Sequence, residues 1–331
     1  MLARTINFML STVVPASTPV KPKHPRALPL FAAISVGFMV LVILEGALVR
    51  ATGSGAGCGN HWPLCNGDFF PHHPRLTTII EYIHRSMTGI CTTLVAVLIG
   101  WTFLARPRGD RARRAVVWSG ILLITEALLG ALLVKGGYVE NNASDMRVVM
   151  QCIHFTNTML LLAAITLTWW WLRDRPQPTI AINSQTRAAA WFALLATLFV
   201  GGAGSVAALA DTLFPPTSLQ GAFLQDFSAH APLLVRMRWL HPASAVIALG
   251  TAIWLALQLR STLGRLVLAL ICAQLILGAT DVVLLAPTWM QILHLLGADA
   301  YWMALVAACA TVLAPQPLNS PEAAARVLDQ P

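Results

Sequence analysis

The sequence has little charge for its length. Asp, Glu, Lys and Arg make up 11% of the 331 residues, and 14 residues are acidic. A soluble domain carries about 25% charged residues. Hydrophobic residues make up 56%, an excess that a larger core cannot hide, so apolar surface must face lipid. The low charge content therefore excludes an ordinary soluble protein and predicts a membrane protein.

Long hydrophobic runs account for the composition. Each run is close to the ~20 residues that a membrane-spanning helix requires. The pattern predicts an all-α membrane protein with eight transmembrane helices, at residues 30–50, 78–104, 115–134, 148–172, 187–209, 239–259, 264–285 and 289–313.

The net charge of +8 would by itself suggest a nucleic-acid partner, but the basic residues lie in alternate loops. Fifteen Lys and Arg residues fall in the tails and one set of loops, and six fall in the other set. Because positive loops stay inside, we predict a bacterial cytoplasmic (inner) membrane protein with both termini cytoplasmic and no nucleic-acid partner. Residues 1–29 and 314–331 would form cytoplasmic tails. The first 29 residues contain no acidic residue and so also resemble a transit peptide, but three basic residues just before the first span favour a tail.

The chain contains a loose internal repeat. Met150, Gln151 and His154 open the fourth hydrophobic run, and Met290, Gln291 and His294 open the eighth with the same spacing. In the same way His84 in the second run corresponds to His241 in the sixth. Four helices inserted in one orientation and then repeated give parallel halves. The repeat predicts two pseudo-symmetric four-helix bundles, at 30–175 and 187–313.

Four histidines lie near the start of every second run, at positions 84, 154, 241 and 294. Alternate spanning helices enter from one side, so these imidazoles would lie in one half of the bilayer. A single His in a membrane helix is often only a packing or hydrogen-bonding residue, but four at one level point to ligation. Two imidazoles fill both axial positions of haem iron, whereas a structural zinc site needs four converging ligands. Two pairs predict two haem sites.

Two features adjoin the first pair. Cys58 and Cys65 lie in the first outer loop, an oxidising place where a disulfide persists; the pair could be a structural staple or a redox group. Glu81 precedes His84 by three residues and shares its helix face. Such a carboxylate could take a proton or stabilise positive charge beside a haem, or simply pair with Arg85 or Arg75. The second half has no acidic residue at the same offset, which suggests that chemistry is confined to the first half.

At these residues the chain resembles the haem A synthase family. The resemblance rests on LVRATGSG (Leu48–Gly55), CGNHWPLCNG (Cys58–Gly67), EYIHR (Glu81–Arg85) and the four span histidines, and it covers roughly residues 30–313. It implies an oxidoreductase that converts the C8 methyl group of haem O into a formyl group, with water as the oxygen source. The product would be haem A for terminal oxidases.

The resemblance also implies site residues. His84 and His154 would ligate the substrate haem O, with Glu81 as the catalytic carboxylate, and His241 and His294 would ligate haem B. Cys58 and Cys65 would form the family's first-loop disulfide. Some members carry a second cysteine pair between spans five and six, and residues 210–238 contain no Cys. Implied partners are haem O, a haem O synthase and an electron-transfer protein; a homo-oligomer is left open.

Two other hypotheses explain part of the pattern. A two-haem electron-transfer cytochrome without its own substrate accounts for the four histidines but not for the carboxylate at one site alone. A transporter with histidine proton relays accounts for the repeat but not for the first-loop motif.

Overall fold

The computed structural model describes residues 26–173 and 183–314, and the part of the chain that it describes is helical. The two predicted tails lie almost entirely outside these residues. Eight of the helical segments are long and apolar enough to cross a membrane, the sixth being Leu233–Leu259. This confirms the predicted all-α membrane protein with eight spanning helices. In chain order the helices are α1 Ala27–Ala51, α2 Leu76–Ala105, α3 Arg111–Lys135, α4 Asp145–Leu172, α5 Ser184–Leu213, α6 Leu219–Asp226, α7 Leu233–Arg236, α8 Leu240–Leu259, α9 Thr262–Val283 and α10 Thr288–Leu313.

Polar caps place the helix ends a few residues from the predicted limits. The fifth span was predicted at 187–209 and begins at Ser184, because the Asn183 side chain accepts a hydrogen bond from the Thr186 N–H at 2.8 Å. Asp110 caps α3 in the same way through the Ala112 N–H. These caps satisfy N–H groups that the first helical turn leaves open. Hydropathy follows the apolar segment alone and therefore misses the polar first turn.

The spanning helices alternate in direction, so their ends fall on two sides. We call the side that carries the loop 52–75 the disulfide side. The spans formed by α2, α4, α7 with α8, and α10 all begin there, since each follows a loop on that side. Within residues 27–172, α1 contacts α2, α2 contacts α3, α3 contacts α4, and α4 returns to α1. Helices α5, α8, α9 and α10 contact one another in the same cyclic order.

The two sets of helices meet through α1, α4, α5 and α10. Helix α10 is the most buried span. Its Trp302 Nε1 donates to the Met159 carbonyl of α4 at 2.8 Å, and its Tyr301 hydroxyl lies 3.3 Å from the Thr197 hydroxyl of α5. The corresponding helices of the two halves thus have corresponding neighbours. The two-fold relation itself stays a prediction.

Candidate functional site

The first loop is closed by a disulfide between Cys58 and Cys65, as predicted. Both cysteines are buried because the loop packs against the start of α2. The Thr78 hydroxyl donates to the Gly57 carbonyl at 2.8 Å. A methyl group at position 57 would lie 2.4 Å from the Thr77 carbonyl oxygen, so only glycine allows this approach.

Glu81 connects this loop to α2. Its Oε2 accepts the Cys58 N–H at 2.7 Å, and its Oε1 accepts from the Arg85 guanidinium, with the Nε contact at 3.0 Å. Arg85 also donates to the Leu64 carbonyl at 2.5 Å. The carboxylate is 3% exposed. A buried charge is costly unless it is paired, and Arg85 provides the opposite charge. Of the two arginines considered from the sequence, Arg85 is the partner found here.

The four predicted histidines lie at similar positions in their spans. His84 follows Leu76 by eight residues, His154 follows Asp145 by nine and His294 follows Thr288 by six. His241 is the second residue of α8, but its span begins at Leu233 after Pro232, eight residues earlier. All four therefore lie a similar distance in from the disulfide side.

Each imidazole packs against a glycine of the preceding span. A methyl group built on that glycine would lie near the histidine Cε1 atom: 3.0 Å for Gly46 and His84, 2.9 Å for Gly204 and His241, 3.2 Å for Gly278 and His294, and 3.9 Å for Gly130 and His154. The missing side chain lets the ring lie close against the neighbouring helix. The sequence pattern does not single out these glycines, because each odd-numbered span contains at least two.

The first-half histidines also contact carboxylates. His84 Nδ1 lies 3.0 Å from Glu45 Oε2 on α1, and His154 Nδ1 lies 3.4 Å from Glu126 Oε1 on α3. The atoms are close without the alignment of a good hydrogen bond, so the attraction is mainly electrostatic. A metal-binding imidazole commonly turns its second nitrogen toward a carboxylate or carbonyl. These contacts involve Nδ1 and leave Nε2 as the atom that could bind a metal.

The second-half histidines come together. The ring centroids of His241 and His294 are 6.2 Å apart, with the rings nearly perpendicular. Metal–imidazole bonds of about 2 Å on both sides of an ion put the two ring centres about 6 Å apart. His241 Nδ1 lies 3.1 Å from the Val200 carbonyl, which leaves its Nε2 as the ligating atom. The pair fits axial ligation of one iron.

In each half, the two helices that carry the histidines lie diagonally across the four-helix arrangement. Helices α2 and α4 are bridged by α1 and α3, and α8 and α10 by α5 and α9. His84 and His154 keep 26% and 24% of their side chains exposed although they lie within spanning helices. Bundle cofactors bind between facing helices in such positions. The distance between the second-half imidazoles therefore fits a porphyrin, and the partly exposed first-half imidazoles lie on facing helices in the same arrangement.

Arg238 takes the place that Glu81 has in the first half, three residues before the histidine. It is 7% exposed. Its guanidinium donates to Asp211 at 3.0 Å and to Asp226 at 2.7 Å. The two carboxylates balance the positive charge of Arg238. Because Asp226 lies in α6 and Asp211 lies near the end of α5, Arg238 links the loop that contains α6 to α5. The corner before His241 thus holds a paired cation where the first half holds a carboxylate, and the prediction that chemistry is confined to the first half stays a prediction.

Parts of several known proteins are similar in sequence to this chain. The chain is 42% identical over 281 residues to a protohaem IX farnesyltransferase of Thermus thermophilus, an alignment that covers 81% of this chain and 45% of that protein. It is 40% identical over 144 residues to a haem A synthase of Bacillus pumilus, covering 43% of each chain. A haem A synthase of Geobacillus kaustophilus is 35% identical over 142 residues, 43% of this chain and 42% of that one. The chain thus matches less than half the length of these curated relatives.

The family comparison covers most of the chain. Residues 29–306 match the model of the COX15-CtaA family, described as cytochrome oxidase assembly proteins. This range contains all eight spans except the first two residues of α1 and the last residues of α10, together with the disulfide and the four histidines. The match confirms the resemblance that the first-loop and EYIHR motifs indicated. The chain therefore belongs to the COX15-CtaA family of cytochrome oxidase assembly proteins.

Proposed function

We propose that this protein is a haem A synthase, which oxidises the C8 methyl group of haem O to a formyl group with water as the oxygen source. The observation that carries the proposal is an asymmetry between similar halves. Each half pairs two histidines with two glycines, but Glu45, Glu81 and Glu126 surround the first pair alone. A carboxylate beside a substrate can take a proton or stabilise positive charge, whereas the corresponding corner of the second half carries the cation Arg238.

In this proposal His84 and His154 hold the substrate, haem O, and His241 and His294 hold haem B. Haem B, when bound, supplies a one-electron acceptor close to the substrate. The Glu81 carboxylate stabilises positive charge that develops on the methyl carbon, or takes a proton from attacking water. The closed first loop covers Glu81, so the carboxylate is shielded from bulk solvent while water still has to reach the substrate for the reaction.

The proposed surroundings follow from the same chemistry. A bacterial cytoplasmic membrane with both termini on the cytoplasmic side suits the distribution of Lys and Arg. The substrate must come from a reaction that adds a farnesyl group to a haem. The Thermus relative is a protohaem IX farnesyltransferase of which this chain matches 45%, and we propose an enzyme of that class as the partner. An electron-transfer protein removes the electrons.

A second candidate, farnesyl transfer by this chain itself, is raised by the name of that relative. Prenyl diphosphates are handled with Mg²⁺ held by carboxylates. The acidic residues of this chain are scattered, and the two nearest, Glu140 and Asp145, are five positions apart. The carboxylates at the first site instead face imidazoles or Arg85. We therefore favour oxidation. Formation of haem O from protohaem IX and farnesyl diphosphate by the purified chain would reverse this preference.

Pigment analysis tests the proposal. Chromatography of pigments from the purified protein should give haem B together with haem O or its hydroxylated or formylated derivative. His241→Ala and His294→Ala should lower haem B, and His84→Ala and His154→Ala should lower the farnesylated haem. His230→Ala, at an exposed loop position, is the matched control. Haem B as the sole pigment would favour a cytochrome, and a full haem B complement in both second-half variants would refute the assignment.

Glu81→Gln tests the chemical role. The amide keeps the size of the side chain and one oxygen for the Cys58 N–H, but it loses the negative charge opposite Arg85. We expect a folded, haem-containing protein that accumulates haem O or a partly oxidised product. Glu140→Gln, an exposed carboxylate on the same side of the membrane, should make haem A as the unaltered chain does. Normal haem A production by Glu81→Gln would reduce Glu81 to a structural residue.

A further inference from the structure

The partners of the four Nδ1 atoms divide the histidines by half. In the first half both partners are carboxylates, Glu45 at 3.0 Å from His84 and Glu126 at 3.4 Å from His154. In the second half His241 Nδ1 faces the Val200 carbonyl at 3.1 Å. Nδ1 of His84, His154 and His294 makes no hydrogen bond to the described residues, but the first two have a carboxylate oxygen within 3.4 Å. The halves therefore differ in whether a carboxylate lies directly beside the Nδ1 atom.

Glu126 is held in place by its neighbours on α4. Its Oε2 accepts from Asn157 Nδ2 at 2.7 Å, and its Oε1 accepts from the Thr158 hydroxyl. Asn157 also donates to the Leu122 carbonyl at 2.9 Å and accepts from the Thr125 hydroxyl at 2.8 Å. This network directs the carboxylate toward His154. A polar cluster inside a spanning bundle is costly unless it is fully paired. The position of the Glu126 cluster beside His154 therefore indicates a role at that histidine.

Glu45 has fewer contacts. Its Oε2 is buried and makes no hydrogen bond to the described residues, and the close approach to His84 is its one ion-pair contact there. The nearest arginine along the same helix, Arg50, is bonded elsewhere, to Ala208, Thr212 and Gln291. A carboxylate at this depth needs a partner. The imidazole of His84, with Nδ1 at 3.0 Å, is the polar group that lies against it.

We propose that Glu45 and Glu126 are positioning residues for the first-half haem ligands: they fix the two imidazole rings and lower the reduction potential of the iron bound between them. The proposal rests on the assignment of His84 and His154 as haem ligands. A carboxylate on Nδ1 draws the N–H proton toward itself and makes Nε2 a more basic ligand. A more basic ligand stabilises ferric over ferrous iron, which lowers the potential. A backbone carbonyl does this more weakly.

The second half offers a reciprocal position. Glu126 lies four residues before Gly130, which packs on His154, and Gln274 lies four residues before Gly278, which packs on His294. Gln274 Nε2 lies 3.3 Å from the His294 carbonyl oxygen. Gln274→Glu therefore adds a negative charge next to the main chain of His294 and removes the amide N–H that its carbonyl accepts. The chain thus allows both a loss and a gain of the same charge.

Redox titration of the haem-containing protein tests the proposal. Glu45→Gln and Glu126→Gln should each raise the midpoint potential of one haem by a tenfold change in its ferric-to-ferrous ratio, about 59 mV for a one-electron couple, and leave the other haem unchanged. Gln274→Glu should lower the potential of the other haem. The low-temperature electron paramagnetic resonance of the first haem should also change in the glutamine variants, since it reports ring orientation. Glu140→Gln is the control with no expected shift.

The outcomes separate this proposal from the enzyme assignment. Unchanged potentials and spectra in both glutamine variants, with normal haem A production, would overturn the positioning role alone. A shifted potential in a protein that contains haem B as its sole pigment would support the positioning role and overturn the enzyme function. If Glu126→Gln fails to accumulate because its network is lost, Glu45→Gln and Gln274→Glu decide the question.

Discussion

At the scale of single residues, the site depends on glycines, which have no side chain. Four glycines give the four imidazoles room to lie against neighbouring helices, and the room differs among them. An added methyl group would meet His241 at 2.9 Å and His84 at 3.0 Å, but His154 at 3.9 Å. The last distance is an ordinary van der Waals contact, whereas the first two require the ring to move.

Alanine substitutions should therefore have graded effects. We expect Gly204→Ala and Gly46→Ala to displace the imidazole and reduce haem retention, and Gly130→Ala to retain haem fully. The measurement is the haem-to-protein ratio after purification. Gly250→Ala, where a methyl group would meet nothing within 4 Å, controls for the general effect of alanine in a helix. Equal haem loss in the Gly130 and Gly204 variants would contradict the steric explanation.

At the scale of an element, the first loop behaves as part of α2 rather than as a free connection. Cys58 donates its N–H to Glu81, and Arg85 binds the Leu64 carbonyl. The exposed fraction is 0% for Cys58 and 2% for Cys65. A loop that covers a site in this way excludes water and holds the adjoining helix face.

The disulfide should consequently resist reagents in the folded protein. In isolated membranes we expect neither Cys58 nor Cys65 to be alkylated without reduction. Mild reductant should also act slowly before unfolding, because both sulfurs are buried. Mass mapping after alkylation measures this, and a sample that is unfolded and reduced before alkylation serves as the reference for full labelling. Two freely alkylated thiols under non-reducing conditions would refute the bond.

At the scale of the whole molecule, the halves are joined by polar contacts as well as by packing. Arg50 on α1 donates to the Ala208 carbonyl at 2.6 Å and to Gln291 on α10 at 2.8 Å, and it also bonds to Thr212 on α5. One first-half side chain thus contacts two second-half helices near the disulfide side. Such charged hydrogen bonds contribute more than neutral ones when they are shielded from water.

Removing the Arg50 hydrogen bonds should weaken the association of the first-half helices with the second-half helices. A hydrogen bond to a charged group contributes about 1.5–3 kcal/mol, so Arg50→Ala should lower the free energy of unfolding by an amount of that order. A lower melting temperature in detergent, compared with the exposed Arg75→Ala control, is the expected observation. Equal melting temperatures for the two variants would show that packing of α1, α4, α5 and α10 joins the halves without Arg50.

The parts of this protein that sequence predicted are those with local causes. Hydropathy over ~20 residues identifies a spanning helix without knowledge of its neighbours, and all eight predicted spans are present. Cys58 and Cys65 are close in sequence, so their disulfide could also be predicted. Helix ends were less accurate, because caps such as Asn183 depend on one hydrogen bond rather than on a hydrophobic run.

The sequence by itself determined the number of spans, their order and the placement of four histidines near one side, since helix periodicity and length follow from the chain alone. Only the tertiary structure decided that Gly46 and Glu45 face His84, that Glu126 faces His154, and that His241 approaches His294. These residues are separated by tens of positions along the chain. Within lipid, helices pair through close packing of small residues and through polar contacts, not through a hydrophobic pattern, and such contacts exist only once the helices have met.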